Sequence, residues 1–400
     1  MYINKQAEQT MVNGFKTGAV GSGLKKTGAP DLGLIYSETD AAVAGVFTTN
    51  QVKAAPVILT QERIKAGRCR AVVINSGNAN CCTGNQGMAD ARAMAKMAAE
   101  ALQIPEESVL AASTGVIGKP LDTGKIESTM PALISGLSYD GWPDLAQAMM
   151  TTDTVPKVVT RDIRIGEKTC TITGVAKGAG MIRPDMATML CFVVTDAAAS
   201  PETLGKMLKT ANEQSFNRIT IDGDTSTNDT VLLLAGGAAG VEIEDAESAE
   251  LFQAALNELL TSLAKMIVKD GEGATKFVEI GVKGATSDLD ARKVADTVAN
   301  SNLVKTALFG EDANWGRIMA AVGRSGADIL PASIDIYFDA VKIVQNGEWA
   351  GDTAEAQATQ TIRRPEFRIT IDLNHGTGTA TVWTCDFSID YVKINADYRT

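Results

Sequence analysis

Histidine is nearly absent from this chain: His375 is the single example in 400 residues. That excludes H-E-x-x-H zinc enzymes and every multi-histidine metal site. A Ser-His-Asp triad would have to be built on His375, and no G-x-S-x-G turn exists to carry its nucleophile. His375 lies in Asn374-His375-Gly376-Thr377-Gly378, which reads as a hairpin turn. If the chain is an enzyme, its base is a lysine, a carboxylate or an α-amine. Paired cysteines are also missing. None of Cys69, Cys81, Cys82, Cys170, Cys191 and Cys385 belongs to a C-x-x-C pair. The adjacent Cys81–Cys82 make a poor disulfide geometry, and scattered cysteines of a cytosolic chain read mostly as small buried hydrophobes, with a catalytic cysteine left open.

Positive charge is in deficit, with 37 Lys+Arg against 48 Asp+Glu and a net −11. Arg63, Lys65, Arg68 and Arg70 read as a solvated turn, so no nucleic-acid partner is expected. No apolar run approaches the ~20 residues that span a bilayer. Met1–Thr10 is polar and lacks the apolar stretch of a signal peptide. The expectation is a cytoplasmic protein without a membrane partner. Familiar ligand motifs fail too. Gly118–Lys125 is one residue too long for a P-loop, and Gly21-Ser22-Gly23 is followed by Lys26 where a dinucleotide fingerprint needs glycine. Ser22-x-x-Lys25 and Lys26-Thr27-Gly28 abut, without the S-D-N element of a β-lactamase between them. Asp222-x-Asp224-x-Ser226-x-Asn228 begins like a calcium loop but has Leu233 at its twelfth place and no glycine at its sixth.

What remains is an ordinary globular composition, 45% hydrophobic and 21% charged, long enough for two or three domains. Apolar runs at Leu32–Tyr36, Ala42–Thr48, Pro56–Leu59 and Ala71–Asn75 predict strands. A 3.6-residue stripe of Ala91, Met94, Ala95, Ala98 and Leu102 predicts a helix over 85–102. Val109–Gly118 reads as a strand and glycine turn, 123–151 as two weaker helices, and Val158–Ile165 with Thr169–Val175 as a hairpin turning at Gly166-Glu167. Thr188–Thr195 and Val231–Leu234 are continuously apolar, as strands buried on both faces are. Ser200-Pro201 starts a helix striped by Leu204, Met207, Leu208 and Ala211; another over 247–267 carries Phe252, Ala255, Leu256, Leu259 and Leu263. Phe277–Val282, Ser333–Phe338, Phe367–Leu373 and Gly378–Cys385 predict strands, and Ser287 caps a helix bearing Ala291, Val294, Ala295 and Val298. Strands and helices mix without regular alternation, which predicts an α+β class with sheets covered by helices.

One segment points to chemistry: Lys177-Gly178-Ala179-Gly180-Met181-Ile182-Arg183-Pro184-Asp185-Met186-Ala187-Thr188-Met189-Leu190-Cys191. Two glycines and a Pro-Asp turn precede the small Ala187, and Thr188 follows at the mouth of the buried strand, where a nucleophile would sit on a rigid element. Without a catalytic histidine, a threonine nucleophile can use its own α-amine as base, provided the chain is cut before it. That amine, with an ordinary pKa of about 7.7–8.0, suits base catalysis near neutral pH. The residues alone leave the alternative open that Thr188 merely begins a strand after a glycine loop.

The chain resembles the glutamate N-acetyltransferase (ornithine acetyltransferase) family of arginine biosynthesis over nearly its whole length. The likeness rests on Lys177–Leu190, Ser113-Thr114-Gly115-Val116-Ile117-Gly118, Asn75-Ser76-Gly77-Asn78-Ala79-Asn80, Asp270-Gly271-Glu272-Gly273-Ala274-Thr275-Lys276, Asn314-Trp315-Gly316-Arg317 and the terminal Asn395-Ala396-Asp397-Tyr398-Arg399-Thr400. Ala179 stands where serine is often expected. The resemblance implies an N-terminal-nucleophile-like αββα arrangement with a smaller C-terminal α/β part. It implies self-cleavage at Ala187–Thr188 into an α chain (1–187) and a β chain (188–400), assembled as an α2β2 heterotetramer. Thr188 would be nucleophile, Thr114 and Gly115 the oxyanion hole, and Thr151, Lys177, Thr188, Glu272, Asn395 and Thr400 the substrate-binding residues. Lys177 suits an α-carboxylate and Glu272 the ornithine ammonium. Asn395 and Thr400 require the tail to fold back. The implied reaction passes acetyl from N2-acetyl-L-ornithine to L-glutamate without a metal or cofactor. Some members also take acetyl-CoA as co-substrate. Two other classes stay open here: a related amidohydrolase or aminopeptidase with water as acceptor, and a noncatalytic small-ligand binder.

Overall fold

The computed structural model describes residues 3–4, 11–183 and 189–397. The chain divides into two compact units. The larger takes 1–178, 185–217 and 225–267; the smaller takes 179–184, 218–224 and 268–400. The larger unit therefore gathers strands from both sides of the Ala187–Thr188 bond.

Its sheet holds nine strands: β1 (Ile3–Asn4), β2 (Phe15–Val20), β3 (Leu32–Phe47), β4 (Arg68–Asn75), β5 (Val109–Ser113), β6 (Lys157–Ile165), β7 (Lys168–Lys177), β8 (Leu190–Thr195) and β10 (Thr230–Ala235). The order is β1-β6-β7-β8-β10-β3-β4-β5, with β2 paired to β3. The two continuously apolar segments lie side by side as β8 and β10, parallel, with Leu190 opposite Thr230 and every residue buried. Alternation sorts the side chains to two cores. Ile35, Val72 and Ile74 join Phe15, Trp142, Phe192 and Leu232 on one face. Their neighbours Leu32, Leu34, Ala71 and Val73 join Met94, Ala95 and Leu133 on the other.

Helices α1 (Ala55–Arg63), α2 (Gly84–Leu102), α3 (Thr123–Ser135), α4 (Trp142–Met149), α5 (Pro201–Gln214) and α6 (Ala246–Lys269) complete this unit. Pro56–Leu59, expected as a strand, is helix. Pro56 sits in the first turn of α1, where a missing N–H costs no hydrogen bond. Thr60 on the same helix donates to the Ala111 carbonyl at 2.7 Å and accepts from its N–H at 3.0 Å, satisfying edge strand β5. Helix α6 is long and apolar enough to cross a membrane, contrary to the expectation that no apolar run approaches that length. Its apolar stripe is core: Phe252, Leu256, Leu259, Leu263 and Ile267 are fully buried. Gly174 of β7 admits it closely, since a Cβ there would lie 2.7 Å from Leu259 Cδ2.

The smaller unit's sheet runs β14 (Glu348–Trp349), β13 (Val341–Gln345), β12 (Asp335–Phe338), β15 (Glu366–Asp372), β11 (Phe277–Ala285), β16 (Gly378–Cys385), β9 (Ile219–Thr220). Its helices are α7 (Asp288–Ala299), α8 (Asn302–Phe309), α9 (Trp315–Gly323), α10 (Asp352–Ile362) and α11 (Ile389–Asp397). Ser287 caps α7 by accepting from Asp290 N–H, and the α7 stripe packs on Val278, Ile280 and Val282 of β11. The hairpin expected around His375 is absent. Strands β15 and β16 flank β11, parallel and antiparallel to it, so 374–377 crosses over β11 rather than joining neighbours. The α+β class with helix-covered sheets is what the structure has.

Phe192 lies fully buried in the middle of β8, in the core it shares with Phe15, Trp142 and Leu232. Replacing Phe192 with Ala should cost about 3–5 kcal/mol of stability, read as a lower urea midpoint with unchanged slope.

Candidate functional site

In the larger unit the loops after β4 and β5 interlock. Thr114 N–H donates to the Asn75 carbonyl, Ala79 N–H to Val116 and Val116 N–H to Gly77. Side-chain amides brace the pair: Asn75 Nδ2 donates to the Asn78 carbonyl, and Asn228 Nδ2 reaches both Ala79 and Ser113 carbonyls at 2.7 and 2.8 Å. Gly115 sits between them with φ +133°, and a Cβ there would lie 2.4 Å from the Gly77 carbonyl carbon. Only glycine allows that approach. The Gly115 N–H makes no hydrogen bond to any described residue. It is a backbone donor held rigidly with its capacity unspent, as an oxyanion hole requires.

The Thr114 hydroxyl lies beside it. Lys177, at the end of β7 and nearly fully buried, directs its Nζ to Thr151 Oγ1 at 2.8 Å and Thr114 Oγ1 at 3.5 Å. Behind it is Asp153. Its Oδ1 accepts from Lys157 Nζ at 2.7 Å and Gly178 N–H at 2.6 Å; its Oδ2 accepts from Thr151 N–H at 3.1 Å and lies 3.8 Å from Lys177 Nζ. Burial alone would raise the Asp153 carboxyl. Lys177, Lys157 and the backbone N–H outweigh it and hold the carboxyl below the usual carboxylate range.

A second carboxyl stands at the mouth of β8. Asp229 is fully buried and its Oδ1 accepts from Met189 N–H at 3.1 Å, while Oδ2 is buried with no hydrogen-bond partner among the described residues. Burial pushes this carboxyl well above its ordinary range, favouring the neutral form.

In the smaller unit Glu272 is tied to the glycine-rich segment by its N–H, which donates to the Ala179 carbonyl at 2.8 Å. Gly180 leaves room for its carboxylate: a Cβ at 180 would lie 2.4 Å from Glu272 Cδ. Asn395 on α11 donates to Glu272 Oε2 at 2.7 Å, so the tail does fold back as far as that residue. Asp222 accepts from Met181 and Ile182 N–H and, at 3.3 Å, from the Tyr391 hydroxyl.

Of the expected site residues, the structure thus brings Thr114, Gly115, Thr151 and Lys177 together in one unit and Glu272 with Asn395 in the other. Ala187, Thr188 and Thr400 lie outside the described residues. The sequence reading missed Asp153, Asp222 and Asp229. An aspartate four residues before Lys157, between a helix and a strand, was the available signal for Asp153. Asp222 and the Asp229 that follows Asn228 were hidden by the failed comparison with a calcium loop. Among the described residues no group of three or more His, Cys, Asp or Glu is placed to hold a metal.

A rigid N–H beside the Thr114 hydroxyl and a buried lysine, on a helix-covered α+β sheet, is suited to acyl transfer, and the chain is an acyltransferase. More narrowly, the chain belongs to the ArgJ family, whose profile matches residues 16–400. The arginine biosynthesis bifunctional protein ArgJ of Geobacter sulfurreducens is 56% identical over 391 residues, covering 97% of this chain and 100% of that one. Its counterpart in Caldanaerobacter subterraneus is 49% identical, covering 97% of both. Among solved structures, the bifunctional protein argJ of Bacillus halodurans is 42% identical over 51% of this chain and 97% of that one, with a TM-score of 0.49. The ornithine acetyltransferase of Mycobacterium tuberculosis, solved with ornithine, is 39% identical over 47% of this chain and 100% of that one, with a TM-score of 0.44.

Asp153→Asn removes the charge that compensates two buried ammonium groups. It should cost about 3–5 kcal/mol near neutral pH. The folded carboxyl titrates below its unfolded counterpart, so its stabilisation is complete above about pH 4 and is lost as pH falls further. Urea denaturation across acid pH should show that slope in the wild type and a shallower one in the variant.

Proposed function

We propose that the chain transfers acetyl from N2-acetyl-L-ornithine to L-glutamate, releasing L-ornithine and N-acetyl-L-glutamate, and that it also acetylates glutamate from acetyl-CoA. The likeness to bifunctional arginine-biosynthesis relatives over 97% of the chain is the observation that carries this reading. The Thr114–Gly115–Lys177 cluster agrees with it.

In this reading the chain first cuts itself at Ala187–Thr188. Thr188 Oγ then attacks the acetyl carbonyl of acetylornithine while the Thr188 α-amine takes its proton. Negative charge develops on the carbonyl oxygen, for which the Gly115 N–H and Thr114 hydroxyl are the donors. The carbon–nitrogen bond breaks, the proton passes to the leaving amine, and an acetyl-Thr188 ester remains. The α-amine of glutamate attacks that ester and Thr188 Oγ recovers a proton. Lys177 and Thr151 take the α-carboxylate end of each substrate. Glu272, steadied by Asn395, takes the ornithine ammonium, and Thr400 closes the binding set. No metal or resident cofactor enters; acetyl-CoA is a co-substrate only. The two cleavage products pair as α2β2 in the cytoplasm.

N-terminal sequencing of the purified protein should return a second start at Thr188. Thr188→Ala should remain one uncut chain without acetyl transfer; a variant that still transferred acetyl would overturn the mechanism. Gly115→Ala, whose Cβ must displace the Gly77–Asn78 backbone, should lower kcat about 10²–10³-fold with a smaller change in KM. Product analysis that found free acetate in place of N-acetylglutamate would overturn the choice of acceptor.

A further inference from the structure

The loop that buttresses Gly115 carries two thiols side by side. Cys81 Sγ and Cys82 Sγ lie 3.7 Å apart, in van der Waals contact. The backbone turns through two left-handed residues here, Asn80 at φ +46° and Cys82 at φ +58°. That turn leaves Cys82 exposed and Cys81 buried with Ala54, Val57 and Ala79. The remaining cysteines, Cys69, Cys170, Cys191 and Cys385, are all buried. Burial pushes the thiols of Cys69 and Cys170 up to about 12 and those of Cys191 and Cys385 upward as well, which leaves them unreactive.

We propose that Cys81 and Cys82 form a modification site: a vicinal dithiol that a peroxide closes into a ring disulfide and that a trivalent arsenical bridges. The Cys82 thiolate attacks the peroxide oxygen, the O–O bond breaks, and Cys82 becomes a sulfenic acid as hydroxide leaves. Cys81 sulfur then attacks Cys82 sulfur, the S–O bond breaks, and the Cys81 proton leaves with the hydroxyl as water. Two thiols are oxidised and one peroxide is reduced to two waters. Adjacent α-carbons are about 3.8 Å apart across a trans peptide, short of the usual ~4.4–6.8 Å disulfide span. The ring is therefore strained and easily reduced. The adjacency that makes this pair a poor staple makes it a reversible one.

Closure acts on the active region through the backbone. The Cys81 carbonyl accepts the Gly118 N–H at 2.9 Å, and Ala79 N–H holds Val116, so twisting residues 81–82 pulls on the turn that aims Gly115. Oxidation should lower kcat severalfold with little change in KM.

The test is hydrogen peroxide titration, alkylation and tryptic digestion of the full protein. The Ala71–Arg92 peptide contains both cysteines and no others. It should lose two hydrogens and resist alkylation, and dithiothreitol should restore it. Acetyl transfer should fall and recover in step. Phenylarsine oxide should inhibit in the same reversible way. Cys81→Ala and, independently, Cys82→Ser should keep full activity and lose both responses. Recovery of both thiols alkylated after peroxide, or of Cys82 sulfinic acid beside an alkylated Cys81, would overturn the site. A ring disulfide formed at unchanged kcat would overturn the coupling. The mass measurement stands whether or not the acetyl-transfer reading holds.

Discussion

The buried Asp153 carboxylate is the contact on which the larger unit's polar centre depends. It takes one ammonium at 2.7 Å, faces a second at 3.8 Å, and accepts two backbone N–H groups. Such a site is costly to bury and stays folded only because each oxygen is occupied. One carboxylate facing two ammonium groups leaves a surplus of positive charge among these three buried groups. That surplus is the electrostatic asset of the site, because charge in low dielectric acts on an incoming carboxylate or a developing oxyanion with little solvent screening. Asp153 also fixes where the surplus resides. Lys157 is held against Oδ1, whereas Lys177 leans away toward Thr151 and Thr114.

The loops around this charge are built mostly without charge of their own. Asn75, Asn78, Asn80 and Asn228 use side-chain amides to satisfy backbone carbonyls of the loops, of the first turn of α2 and of the end of β5. Amides can do this in the interior at far lower cost than lysine or arginine. Against so complete a set of partners, the idle Gly115 N–H stands out. Gly115 is half-buried, so this donor stays available to an anionic oxygen that arrives.

Much of this was legible in the amino-acid order, and the reasons for the failures differ. The buried pair β8 and β10 could be read because continuous apolar runs allow little else. Helix α6 was read as a helix, but polar interruptions such as Gln253 and Asn257 hid how apolar it is as a whole. Segment 56–59 was misread because Val57, Ile58 and Leu59 favour strands, while the helix-starting role of Pro56 depends on the residues around it. Strand order could not be read at all: the crossing at His375 depends on β11, almost a hundred residues away. Asp153 and Asp229 escaped because a buried acid looks like a surface acid until its partners are known. Thr114, Thr151, Lys177, Glu272 and Asn395 came from resemblance to a family, and the structure adds which of them touch.

The chain's last helix also shows where a default gives way to particular contacts. Terminal residues ordinarily fray, because a few solvated hydrogen bonds do not offset the entropy of ordering them. Helix α11 has no buried residue of its own. It is retained by buried or half-buried polar partners instead. Tyr391 stacks on Phe387 with centroids 4.6 Å apart and reaches Asp222, and Asn395 reaches Glu272. Burial and the neighbouring Asp222 and Glu272 charges push the Tyr391 phenol upward, so it remains a donor at any working pH. The same Asp222 binds the Met181 and Ile182 N–H groups, and Glu272 binds the Ala179 carbonyl through its own N–H. Tail and glycine-rich segment therefore meet on two shared acids, and a displacement of one must disturb the hydrogen bonds of the other. That coupling gives a physical reason for distant motifs, around 180, 222, 272 and 395, to occur in one chain.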